Sequence, residues 1–158
     1  MPVRLAGESG VVGGLEALAF GLLTCMIGGL LIANTWAVVD AKFTTAAAAR
    51  EAARAYATAP DAATAEDAAV AAAHEVIRGY GRSVERFTLP PPAGDPFGRC
   101  VRATFTASYD VPTITLPFIG GFAAPTITVN ATHSEIVDPY RSGLDVDRGV
   151  ACETAWGG

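Results

Sequence analysis

The residues with chemical potential are scattered along the chain. His133, Ser134 and Glu135, with Asp138 close behind, supply the side-chain types of a nucleophile, base and acid set. They fall in an alternating stretch, however, where neighbours point to opposite faces of a strand, so adjacency in sequence does not bring them together. Asp145-Val146-Asp147 opens like a calcium loop but lacks the later oxygen ligands and the distal glutamate. There is no C-x-x-C pair or histidine cluster of the kind that holds zinc. Asn130-Ala131-Thr132 fits a glycosylation sequon, which matters only in a eukaryotic secretory setting. The expectation is a protein that is not an enzyme, with no cofactor and no metal.

Two further groups ask for an explanation. Glu16 stands at the edge of an uncharged run, residues 17–39. A carboxylate there either marks the aqueous boundary, close to a helix N-terminus, or pairs with a charge inside the membrane. The three cysteines are Cys25, inside the apolar run, and Cys100 and Cys152 in the polar part. Cys25 reads as a small hydrophobe. Cys100 and Cys152 form a natural disulfide pair if that part is exported, closing a loop of about 50 residues and stabilising by about 3–4 kcal/mol.

The elements that must position these groups follow from composition and periodicity. The chain has 158 residues, 51% hydrophobic and 17% charged, with a net charge of −5. No Lys/Arg cluster is present, so nucleic acid is not an expected partner. The run 17–39, about 23 residues, exceeds the roughly 20 that a helix needs to cross a bilayer core. A secretory signal cleaved after Ala41 is a competing reading, but the run is longer than the roughly 7–15 residues of a signal's apolar region. A buried core helix is a third, opposed by apolar residues all round the helix.

Beyond Val39 neither Gly nor Pro occurs until Pro60, and alanine dominates, so the helix should continue as a stem over 40–59. Trp36, Val39, Phe43, Ala46, Ala49, Ala53 and Tyr56 step by threes and fours along one expected apolar stripe. A second helix is expected over 62–81, opened by Thr64 and Asp67 as a capping box and stopped by Gly79 and Gly81. Its apolar face would run through Ala69, Ala72, Ala73, Val76, Ile77 and Tyr80, leaving His74 exposed. The period then switches to two, with strands expected at 84–89, 101–111 and from 126, within a sheet domain spanning 84–138. Between the last two strands, TLPFIGGFAAP reads as a hairpin loop with Leu116, Phe118, Ile119 and Phe122 as a contact tip. Residues 139–158 lack any period and read as a loosely ordered tail. The fold class is α+β.

A short leader (1–16), a Gly-rich run, a glutamate, an apolar helix and the stem Ala48-Ala49-Arg50-Glu51-Ala52-Ala53-Arg54 resemble the TadE/TadG-like family of minor pilins from tight-adherence pili. The resemblance rests on Gly10, Glu16, the span 17–39 and Arg50, Glu51 and Arg54; it covers the first third of the chain by sequence and the rest by architecture. It implies a pilin-like fold, a prepilin peptidase acting near Gly10 and Val11, and partners among other pilins and platform proteins. In the family the glutamate usually stands fifth after the cut and pairs with a neighbour's N-terminal amine; cutting after Gly10 makes Glu16 sixth here.

Gly21, Gly28 and Gly29 are candidate helix-packing positions, though glycine is also simply frequent in membrane helices. The positive-inside comparison, Arg4 against Lys42, Arg50 and Arg54, mildly favours a cytoplasmic C-terminal domain. The polar cysteines and the resemblance favour an extracytoplasmic one, the topology adopted here. The expected function is a structural minor pilin or pseudopilin-like component of a Tad-type pilus or related secretion apparatus, held in the cell membrane by one span. The alternative is a membrane-anchored extracellular adapter unrelated to pili; an anchored hydrolase is the third reading.

Overall fold

The computed structural model describes residues 10–112 and 126–144, with side chains from Glu16 onward. The leader residues 1–9, the hairpin residues Leu116, Phe118, Ile119 and Phe122, the Asp145–Asp147 stretch and Cys152 lie outside the described residues. The chain forms two compact units, Met1–Trp36 and Ala37–Gly158. Its architecture is α+β: helices α1 (Gly10–Thr58) and α2 (Ala62–Gly79), then strands β1 (Phe87–Thr88), β2 (Arg102–Pro112) and β3 (Thr126–Ile136). They form one antiparallel sheet in the order β1-β2-β3.

Helix α1 begins at Gly10, earlier than the expected start at residue 17, so Glu16 lies inside the helix and beyond its first turn. The charge-dipole reading of Glu16 therefore loses its geometry, because that interaction fades beyond the first turn. From Ala37 onward the second unit is built on the small residues of α1. Ala41, Thr44, Thr45, Ala48, Ala49, Ala52, Ala53 and Tyr56 are buried. That face replaces the upper part of the expected stripe: Trp36, Val39 and Phe43 are exposed, and only Ala49, Ala53 and Tyr56 are buried as expected. Two threonines enter the core because each hydroxyl donates to the carbonyl four residues back, Thr44 to Asp40 (3.0 Å) and Thr45 to Ala41 (2.7 Å).

Helix α2 buries Ala65, Ala69, Ala73 and Ile77, one residue per turn. Its N-cap is Asp61 rather than Thr64: a carboxylate oxygen accepts from the Thr64 N–H and hydroxyl, both at 2.9 Å. Tyr80, expected on the apolar face, is exposed, whereas His74 is half-buried with its ring edge-on to Phe87 at 5.9 Å.

The expected first strand shrinks to Phe87–Thr88, because Val84–Arg86 forms a 3-10 turn in which the Ser83 hydroxyl accepts from the Glu85 N–H (3.3 Å). Strand β2 alternates as expected, with Ala103, Phe105, Ala107, Tyr109 and Val111 buried. It pairs with β3 from Arg102↔Ile136 to Pro112↔Thr126. Val129 and Ala131 are buried on β3, while Ile127, of the same parity, is open. Tyr56 links stem and sheet, meeting Phe105 at 5.5 Å and Phe97 at 5.2 Å, both edge to face. Burial, reinforced by the negative charge of Glu66, raises the Tyr56 phenol above its ordinary value of 10.0.

Candidate functional site

The first described unit carries its apolar side chains bare. Leu18, Phe20, Leu22, Leu23, Met26, Ile27, Leu31 and Ile32 are all exposed. The most apolar 18-residue window of this helix has a mean hydropathy of 2.0, and none of it is buried. By length and composition it can cross a membrane. Three polar side chains within the apolar run bond back along the helix, the arrangement that suits an apolar solvent. Thr24 donates to the Phe20 carbonyl (2.9 Å), Asn34 to Leu30 (3.1 Å) and Thr35 to Leu31 (2.9 Å). Among the described residues, a Cβ added at Gly21, Gly28 or Gly29 meets nothing within 4 Å. Cys25 is an exposed free thiol, and Glu16 is exposed.

In the second unit, polar fastenings hold the start of the stem. Asp40 pairs with Arg82 and the Lys42 ammonium donates to the Asn130 carbonyl on β3. The position of Arg82 follows from the end of α2. Gly81, at φ +69, adopts the left-handed conformation that an L side chain avoids. Its N–H donates to the Arg78 carbonyl (2.8 Å), and the Arg82 N–H donates to Ile77 (3.0 Å). This is the double bond of a Schellman turn. The turn sends Arg82 back toward α1, where its guanidinium pairs with Asp40 and lies 5.3 Å from the centre of the Tyr109 ring.

At the other end of the stem, Arg141 donates to the Ala57 carbonyl (2.7 Å) and the Thr58 carbonyl (2.6 Å). The last turn of α1 contains no basic residue, so a cation from the tail meets its orphan carbonyls. The expected loosely ordered tail is thus tied at Arg141. Neither Arg82 nor Arg141 was a candidate from sequence; the glycine after α2 was the only signal, and it pointed to Arg82.

Of the stem motif, Arg50 and Arg54 are exposed, and Glu51 meets Arg54 at 4.0 Å. That geometry makes a weak, solvated pair. Cys100 is 2% exposed, at φ 61, with its N–H donating to the Val137 carbonyl (3.0 Å). On β3, His133 and Glu135 lie 3.6 Å apart on one face. Ser134, on the opposite face, is 2.8 Å from the Thr104 hydroxyl, so the three side chains do not converge. Among the described residues no group of three or more His, Cys, Asp or Glu is placed to hold a metal ion.

Comparison with protein-family models, with curated proteins and with solved structures finds no match.

Proposed function

We propose that this chain is a structural, pilin-like membrane protein, a minor pilin or pseudopilin-like component in the assembly of a Tad-type pilus or related secretion apparatus. The observation that carries the reading is α1 itself: one unbroken helix whose first half is bare and apolar and whose second half forms the buried spine of an α+β head. A bare apolar helix fits a membrane, and the same helix continues into the alanine spine of a small domain. The unoccupied space around Gly21, Gly28 and Gly29 leaves these positions free for close packing with other pilins or platform proteins. In this reading Glu16, exposed in the same half of the helix, pairs with a charge on a neighbouring subunit; its exposure is the support for that role.

In this reading the head is extracytoplasmic and Cys100 is bridged to Cys152. Support for the bridge comes from Cys100, which is buried in the head whereas Cys25 is exposed. Intact-mass measurement of the membrane-extracted protein tests the proposal. Loss of Met1 to Gly10 is the expected result of a prepilin peptidase acting between Gly10 and Val11. Loss through Ala41 would instead make the apolar helix a cleaved signal and remove the anchor. A non-reduced mass two hydrogens below the reduced one checks the bridge, and free thiols on both cysteines would reverse the assigned topology.

A further inference from the structure

Among the described residues β3 is an edge strand, and the direction of its backbone groups can be read from the bonds on the far side of β2. Ala93 and Thr104 exchange N–H···O bonds in both directions, at 2.9 and 3.1 Å, so the even-numbered residues of β2 aim their backbone groups toward the β1 side. Neighbouring residues of an antiparallel ladder alternate, so the odd-numbered residues of β2 bond to β3. Their partners in register, such as Ala131 opposite Ala107 and His133 opposite Phe105, are odd-numbered too. The even-numbered residues Thr128, Asn130 and Thr132 therefore turn their N–H and C=O groups away from the sheet. The Lys42 contact agrees with this direction, because the acceptor it takes is the Asn130 carbonyl.

An edge that turns its backbone groups outward is a template for another strand. From Thr126 to Thr132 it runs seven residues without a charge, a glycine or a proline, and five of them are β-branched. The strand that matches such a segment best is a copy of itself. Antiparallel pairing about Val129 sets Thr128 against Asn130 of the second copy and Ile127 against its Ala131, polar on polar and apolar on apolar. Ile127, which has the parity of the buried residues yet is exposed, would gain a neighbour. In that pairing Thr128 and Asn130 exchange backbone bonds, and the acceptor on Asn130 is the carbonyl that Lys42 holds. Lys42 is the only lysine in the sequence; the other ten of its 11 Lys and Arg residues are arginine. We infer that Lys42 guards the edge of β3, and that what it keeps off is the β3 strand of a second copy of this chain. A strand bonding along this edge, whatever its source, must first displace a charged donor that is stronger than the neutral N–H it brings. The inference concerns the second unit alone and does not rest on the proposed function.

The test compares self-association of the full chain in detergent, read as protein mass by light scattering after size exclusion. Lys42→Met keeps the long apolar stem of the side chain and removes the ammonium. It should self-associate about tenfold more tightly than the unaltered chain, the worth of one hydrogen bond to a charged group. Lys42→Arg retains a cationic donor and should stay at the unaltered mass. Thr128→Pro, added to Lys42→Met, removes an outward N–H at a place where an edge strand tolerates proline, and should restore that mass. Circular-dichroism melts verify each fold. Because the chain has one lysine, acetylating the folded, unaltered protein removes the same charge without any refolding. Its mass should rise, whereas Lys42→Arg, with no lysine left to react, should not respond; this arm carries the test if Lys42→Met does not fold. A mass that stays unchanged when the charge is lost overturns the inference. Association that Thr128→Pro fails to reverse also overturns it, because the contact then lies away from the edge of β3.

Discussion

The two halves of α1 reverse the usual relation between hydrophobicity and burial. Residues 17–36 hold the large aliphatic and aromatic side chains and bury almost none of them, while residues 41–59 hold mostly alanine and bury a continuous face at or near zero exposure. The same helix, with the same backbone hydrogen bonding, therefore treats large and small side chains in opposite ways along its length. The second half earns its stability from close approach of small groups to the sheet. The first leaves its apolar side chains bare among the described residues, and by length and composition it can cross a membrane. Burial alone thus misidentifies the most hydrophobic part of the molecule, and local contrast along one helix locates the boundary near Ala37.

Changes confined to one half should leave the other unmoved. The largest effect is expected from Tyr56→Ala, which removes the ring against Phe97 and Phe105 and should cost the head about 3–5 kcal/mol. Denaturant melts of the head should record that loss while membrane retention after an alkaline wash is unchanged. The converse is Leu23→Arg, which puts a charge in the middle of the run at about 3 kcal/mol of insertion free energy. Membrane retention should fall and the head's unfolding midpoint should hold. If Leu23→Arg instead destabilises the head as much as Tyr56→Ala, the contrast between the halves is wrong.

Arg141→Ala sharpens the comparison within the buried half. Leaving the Ala57 and Thr58 carbonyls without their charged donor should cost about 1–2 kcal/mol, read as a lower melting temperature and faster amide exchange in the last turn of α1. The smallest effect is expected at Asp61, whose carboxyl the Thr64 donors hold below its ordinary value of 3.8. Its folded-state pKa is lower than its unfolded one, so its contribution is complete above the unfolded value and is lost as pH falls through the folded value. Asp61→Asn should flatten that acid limb of the melting curve and leave the neutral-pH fold in place. The tyrosine shift has the opposite sign: burial favours neutral Tyr56, so its stabilisation is full below 10.0 and is lost at more alkaline pH.

Much of this arrangement is legible in sequence, for identifiable reasons. The unbroken helix from the apolar run through Thr58 follows from the lack of Gly and Pro after Gly29, and the alternation of β2 follows from its period of two. The face of the upper stem was not legible. Periodicity selected Trp36, Val39 and Phe43 because they are large and apolar, but the face that is buried carries the small residues Ala41, Thr44 and Thr45. The hydroxyls give no sequence signal that they will be satisfied by carbonyls four residues back. The first strand failed for a local reason: Ser83 nucleates a turn that consumes three of its expected residues. Arg82 and Arg141 act across 42 and 84 positions of chain, distances that no local pattern encodes.

The Lys42 contact has a consequence for the order in which this molecule comes into being. Its acceptor, Asn130, is 88 positions later in the chain. A chain made from its N-terminus completes the stem long before the strand that covers it exists. Helix α2 follows at once, but the part of the stem that the sheet covers must wait while about half of the protein is still being synthesised, and long-range pairings of this kind close slowly. Small side chains suit that interval: an alanine face offers little adhesive surface to a wrong partner, so the spine that serves the finished head also keeps the unfinished one from being trapped.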